Sequence, residues 1–220
     1  MTSRSKGIVG TVIGTAVLTV LVVLYVLFFT IKPPTVQSVE GPAGTAEITL
    51  QTVGALGPRY EHPDWVSYLV QDASGEWVHS TEIELPANTL VHVTILQYDS
   101  ETGLRNPFFA RPQGTTGGVI EVDGKEVDVV DPNVPGHTFA VPELGVFVPL
   151  PGIADNASNP CSVAPCTLEQ SHRTITFTFR TGAPGRYRWQ CFVPCAAGYY
   201  AGFGGPMQRF GYMGGYLNVV

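Results

Sequence analysis

Four residues carry donor atoms able to hold a soft metal ion: Cys191 and Cys195, spaced four apart, then Met213, and His137 well upstream. Thiolate, imidazole and thioether form the ligand set that copper takes. The bland alternatives are as concrete. Cys191 and Cys195 can pair with each other or with Cys161 and Cys166, since an even cysteine count in an exported domain favours disulfides. Cys161 and Cys166, separated by SVAP within a long loop, read as a loop staple. His137 can equally be a strand-end histidine that is merely hydrogen-bonded. Spacing alone selects none of these. Other chemistry is missing: there is no Gly-x-Ser-x-Gly elbow, no His-Glu-x-x-His and no Walker loop.

The elements that must position these side chains are short strands. Runs rich in β-branched and aromatic residues recur between turn signals: AEITLQTV, WVSYLV, TEIEL, LVHVTILQY, GVIEV, KEVDVV, TFAV, TITFTFR, RYRWQC and YLNVV. In TITFTFR the alternation assigns Ile175, Phe177 and Phe179 to a core. Asp123-Gly124 between GVIEV and KEVDVV is a two-residue hairpin signal. With 18 prolines and 25 glycines, long helices are disfavoured. Many short strands with frequent turns predict a sandwich or barrel of one domain over 45–220. Two long connections interrupt it, 149–170 and 196–212, and loops of that length are commonly functional or crosslinked.

The N-terminus is different in kind. Gly7 to Ile31 contains no charged residue, and as a helix it would extend about 37 Å, enough to cross a hydrocarbon core of about 30 Å. The expected organisation is a cytoplasmic stretch 1–6, a transmembrane helix 7–31, a Pro- and Gly-rich linker 32–44 and an extracytoplasmic domain. Arg4 and Lys6 precede the apolar run without an acidic neighbour, which predicts a cytoplasmic N-terminus and a domain on the periplasmic or extracellular side of the plasma membrane. Charged residues make up 14% of the chain and the net charge is −6, which argues against a nucleic-acid partner. No small-molecule substrate is suggested by any motif.

The metal-type residues sit in segments with a family resemblance. GHTFAVPELGV around His137 is similar to the segment of haem-copper cytochrome oxidase subunit II that supplies the first histidine of its dinuclear copper centre. GRYRWQCFVPC (185–195) resembles that family's Gly-x-Tyr leading into Cys-x-x-x-Cys. GYMGGYLNVV (211–220) resembles the end of the motif, with its methionine before the last strand. The resemblance implies an all-β, cupredoxin-like Greek-key β-sandwich preceded by one N-terminal transmembrane helix, in which an upstream histidine lies beside a loop carrying Cys and Met between the last two strands. It implies Cys191 and Cys195 as bridging thiolates, His137 as an imidazole ligand, Met213 as a weak thioether, and the Val193 carbonyl as a further ligand.

The chain departs from that pattern at the second histidine, and its loop 196–212 is longer than the family's. The family's second histidine falls three residues before the methionine, which here is Phe210. Aligned without an insertion, the position becomes Tyr199 and the methionine becomes Gly202. A phenyl ring has no lone pair to donate. The resemblance therefore implies a subunit of a membrane respiratory or redox complex, not catalytic by itself, with a degenerate copper site. That site is either an atypical electron relay or a copper-free docking element. The alternative of a different class is a stand-alone exported copper-binding electron carrier or copper-handling protein.

Overall fold

The computed structural model describes residues 3–29, 33–58, 60–62, 64–195 and 204–220. The chain divides into two compact units, Met1–Lys32 and Pro33–Val220. The first is an α-helix, α1, over Ser3–Phe29. Among the described residues no helix is long and apolar enough to cross a membrane. Within α1 the side chains described without a break run from 10 to 26, about 26 Å of helix. Of the expected span 7–31 the described helix covers 7–29, and residues 30 and 31 lie outside the described residues, as do residues 1 and 2 of the expected cytoplasmic stretch 1–6.

The second unit contains fourteen strands among the described residues, in chain order β1 Thr35–Gln37, β2 Val39–Glu40, β3 Ala46–Val53, β4 Ser67–Gln71, β5 Trp77–Val78, β6 Glu82–Leu85, β7 Leu90–Gln97, β8 Ile120–Val122, β9 Lys125–Val127, β10 Pro135–Val141, β11 Val146–Pro151, β12 Arg173–Arg180, β13 Gly185–Gln190 and β14 Gly214–Val219. One sheet runs in the order β1-β6-β14-β13-β10-β11. The other runs β5-β4-β3-β7-β12-β8-β9, with β2 on β3. β3 pairs with β7 in parallel, and β14 with β6 likewise. β1 also runs parallel to β6, while β12 pairs antiparallel with β7 and β8 and β10 with β11 and β13, so both sheets are mixed.

The core between the sheets follows from alternation. Along β12, Ile175, Phe177 and Phe179 are buried, as the two-residue period requires. Opposite them on β7 stand Ile95, Val93 and Val91 in direct register. Trp189, Phe139 and Leu217 fill the same core. The β8–β9 turn places Asp123 and Gly124 both at positive φ, 51° and 77°, the twist that a two-residue hairpin needs. The Asp123 carboxylate then accepts from Arg173 Nη1 at 2.8 Å and Thr174 N–H at 2.9 Å, fixing the hairpin to β12.

Two expectations need correction. The stretch 32–44 is not a free linker: Thr35, Val36 and Gln37 pair with Glu82, Ile83 and Glu84, and Val36 is buried. A three-residue edge strand between prolines and Gly41 is too short to show a period. The loop expected from Pro149 also begins later, because Pro149, Leu150 and Pro151 close strand β11 against Thr138, His137 and Pro135. Prolines survive there because β11 is the sheet's edge and needs no second ladder of donors.

Past β11, Cys161 and Cys166 form a disulfide with Cα atoms 5.8 Å apart. Gln51 Oε1 accepts from Cys166 N–H at 2.7 Å, tying this loop to β3. The loop covers a second cluster that includes Leu56, Trp65, Leu69, Tyr98 and Tyr212. His79 packs edge-on against Tyr212 and Tyr60. Burial pulls its pKa down to about 4, against the opposing pulls of the Gly211 backbone and Glu61, with Arg209 adding to the depression.

In the unfolded chain this histidine titrates near its ordinary value, about 6.5. Between about 6.5 and 4 the unfolded chain therefore takes the proton first, and His79 costs stability as pH falls through that window. Urea unfolding at pH 7 and pH 4.5 should show a smaller acid loss in His79→Gln than in the parent; equal losses would exclude this source.

Candidate metal centre

The centre is built where three strand ends meet. Strand β13 pairs with β14 up to Gln190–Gly214, and Gln190 is also opposite Ala140 of β10. One residue further on, Cys191 N–H donates to the Met213 carbonyl at 2.8 Å. The neck of the loop 191–213 is therefore closed by backbone hydrogen bonds, although the loop's own middle, 196–203, lies outside the described residues. Tyr199 and Gly202, the positions of the uninterrupted alignment, fall there. His137 sits on β10 beside a register shift between Pro135 and His137, the kind of bulge that re-aims a side chain.

The result is a convergence of three buried donors. His137 Nδ1 lies 2.9 Å from Cys195 Sγ and 3.7 Å from Cys191 Sγ, and the two sulfurs are 3.6 Å apart. All three ligand atoms fall within 4.8 Å of one another. Both cysteines are free thiols, so the structure does not pair them with each other or with the 161–166 bridge. The Val193 carbonyl is 3.5 Å from Cys191 Sγ and accepts the Cys195 N–H at 2.8 Å, which folds the Cys-x-x-x-Cys segment back on itself. Met213 is buried in the core. Phe210 is half exposed and packs on Tyr216 with ring centroids 5.3 Å apart.

Sequence reading missed Asp99. Its Oδ2 is 3.0 Å from His137 Nε2, and its other oxygen accepts Ser100 N–H at 2.8 Å. With Nε2–H donating to the carboxylate, Nδ1 is the nitrogen that faces the sulfurs, an assignment made from the hydrogen-bond network. A carboxylate in that place orients an imidazole and raises its basicity as a ligand. The only sequence signal was an aspartate just after the LVHVTILQY strand, which is commonplace. The segment 99–101 fits closely: a Cβ on Gly136 would come 2.6 Å from the Ser100 carbonyl, and one on Gly152 would collide with Glu101 N.

The electrostatics are those of a buried thiolate and imidazolium. Burial alone would lower His137, but Asp99 and Cys191 outweigh it and raise its pKa to about 9. Burial alone would raise Cys191, yet the hydrogen bonds from Cys195 and His137 hold it well below the ordinary thiol value. Cys195, which donates to that thiolate, is pushed up by it and by burial. Burial alone would also raise Asp99, whose bonds to His137 and Ser100 keep it low. A metal ion entering here displaces protons from soft donors already aimed at one point.

The donor chemistry fits copper in its softness but not the two-copper arrangement of the resembling family, which needs a second imidazole. Among the described residues His62 stacks on Trp65 at 3.8 Å, His92 meets Thr178, and His172 meets the Gln170 carbonyl. With His79 in the second cluster, none of the other four histidines joins the site.

No family model matches the chain, and no curated protein matches it. Among solved structures, rusticyanin from Thiobacillus ferrooxidans matches at 15% identity and TM-score 0.34, covering 86% of this chain and 84% of that one. A methionine-to-leucine variant of rusticyanin matches at 16% and 0.35 over the same shares. A further rusticyanin structure, described as that of a copper protein, matches at 16% and 0.33 over 84% and 82%. Similarity that low leaves the class to be defined by strand order and site: a two-sheet β-sandwich with a buried Cys-Cys-His group beside the loop between its last two strands. The upstream histidine beside that loop is the placement expected from the sequence. The likeness to oxidase subunit II rests on the sequence motifs alone.

Asp99→Ala should weaken metal binding by about 10- to 100-fold, read by competition with a chromophoric chelator, while leaving the far-ultraviolet circular dichroism unchanged. Gly136→Ala should lower stability by about 1–3 kcal/mol through overpacking against Ser100. A melting temperature unchanged from the parent would contradict the close fit.

Proposed function

We propose that this chain is a membrane-anchored cupredoxin-like domain that binds copper through His137, Cys191 and Cys195 and passes electrons as part of a larger membrane redox complex. The observation that carries the reading is the meeting of two free thiols and one imidazole nitrogen in a buried pocket. Loops that merely fold do not need three soft donors there, and an unmetallated thiolate–imidazolium pair is costly to bury. Val193 and Met213 would supply weak additional donors from its carbonyl and thioether. Bound copper would supply one-electron chemistry; the protein's share is to orient His137 through Asp99, to offer Thr138 N–H to Cys191 Sγ at 3.4 Å, and to exclude water.

Anchoring is supported by the uncharged run Gly7 to Ile31 and by helix α1 over most of it. Partner subunits are supported by the segments that resemble oxidase subunit II. A second reading, a copper-free docking subunit, is favoured by Phe210, which stands where that family has a ligand. The stand-alone electron carrier would share the same copper chemistry without partners.

Full-length protein extracted from membranes tests these readings together. The expected outcome is retention in the carbonate-washed membrane fraction, bound copper by elemental analysis, and thiolate-to-copper absorption that disappears in Cys191→Ser. Protein that stays metal-free by elemental analysis after copper loading under reducing conditions would leave the docking reading. Release from membranes by carbonate would remove the anchor.

A further inference from the structure

The donor geometry also says how many ions this site takes. Two metals bridged by Cys191 and Cys195 would each require a strong terminal ligand, and only one imidazole reaches the sulfurs. The chain has five histidines; His62, His79, His92 and His172 are all committed elsewhere, and Phe210 lies on Tyr216.

The surroundings of Cys191 fix its sulfur. Its sulfur receives the Thr138 backbone N–H at 3.4 Å, and the Thr138 hydroxyl lies at 3.9 Å, with that hydroxyl oxygen itself accepting Phe192 N–H at 2.8 Å. These donors hold the sulfur in one orientation, with its remaining lone pairs free for a metal ion.

The distances suit one ion. Two sulfurs at about 2.3 Å and a nitrogen at about 2.0 Å around a single tetrahedral or trigonal centre lie roughly 3.5–4 Å from one another. The observed 3.6 Å between sulfurs and 3.7 Å from Cys191 Sγ to Nδ1 already match. The 2.9 Å from Cys195 Sγ to Nδ1 is a hydrogen bond, and it must open by about 1 Å or less once the proton is replaced. Cys191 and His137 are at most 1% exposed, so the first coordination sphere has little access to water. Two thiolates and one imidazole with little water suit copper(I) better than copper(II), and zinc is the competing ion for the same donors.

We infer that the centre binds a single copper(I) ion per chain, held by His137 Nδ1, Cys191 Sγ and Cys195 Sγ. This rests on the copper-binding reading above and narrows it to a mononuclear site that favours the reduced metal.

Anaerobic titration of the full-length protein in detergent with copper(I), buffered by a chromophoric chelator, tests it. One equivalent per chain should bind tightly, with no second equivalent of comparable affinity. That equivalent should be lost in Cys195→Ser and in His137→Gln. Circular dichroism of each variant separates loss of ligand from loss of fold, and a variant that unfolds is replaced by the other. Two equivalents, both removed by the Cys195 substitution, would overturn the one-ion inference while upholding copper binding. No equivalent at all would overturn both.

Discussion

Two cysteines four residues apart can aim their sulfurs at one imidazole only if the loop that carries them is closed at its base. The hydrogen bond from Cys191 N–H to the Met213 carbonyl closes it. That bond continues the β13–β14 ladder one step beyond Gln190 and Gly214, so the stiffness of a paired sheet extends to the first donor atom. The approach is tight on the other side as well: a Cβ on Gly215 would strike Thr81, and Thr81 holds the Trp189 indole through its carbonyl at 2.9 Å.

Closing the neck brings charge into a dry interior, and the polar neighbours make that tolerable. The Cys191 sulfur has donors from Thr138 and Cys195, and His137 has a partner on each nitrogen. Asp99 is the outermost of this chain of bonds, with its side chain still 31% exposed. It sits where a carboxylate keeps some solvation while its far side fixes the imidazole. Tyr68 closes the inner wall: its hydroxyl donates to the Thr138 carbonyl at 2.8 Å and its ring meets Trp189 edge-on. Burial and the nearby thiols raise the Tyr68 pKa, so it stays a neutral phenol against the sulfur centre.

How much of this could be read in the residues depended on the range of the interaction. Strands with a clear two-residue period were legible, down to the buried set Ile175, Phe177 and Phe179. So was the Asp123-Gly124 turn, because its chemistry is local. The short edge strand at Thr35–Gln37 and the proline-bearing β11 were not, since both owe their form to a partner strand far away in sequence. Cys191, Cys195 and His137 were identifiable as soft donors from type and spacing, but their meeting depends on sheet order. Asp99 was invisible, being one of many loop acids until the fold sets it 3.0 Å from His137. The absence of a second imidazole was visible at Phe210 from the start. Only the positions of the other histidines show that nothing replaces it.

In the proposed centre three donors share one ion. X-ray absorption at the copper edge of the reduced, copper-loaded protein examines that directly. It should report a first shell of two sulfurs and one nitrogen, with no second copper scattering nearby. A shell of nitrogen and oxygen alone, or a short copper–copper vector, would contradict it.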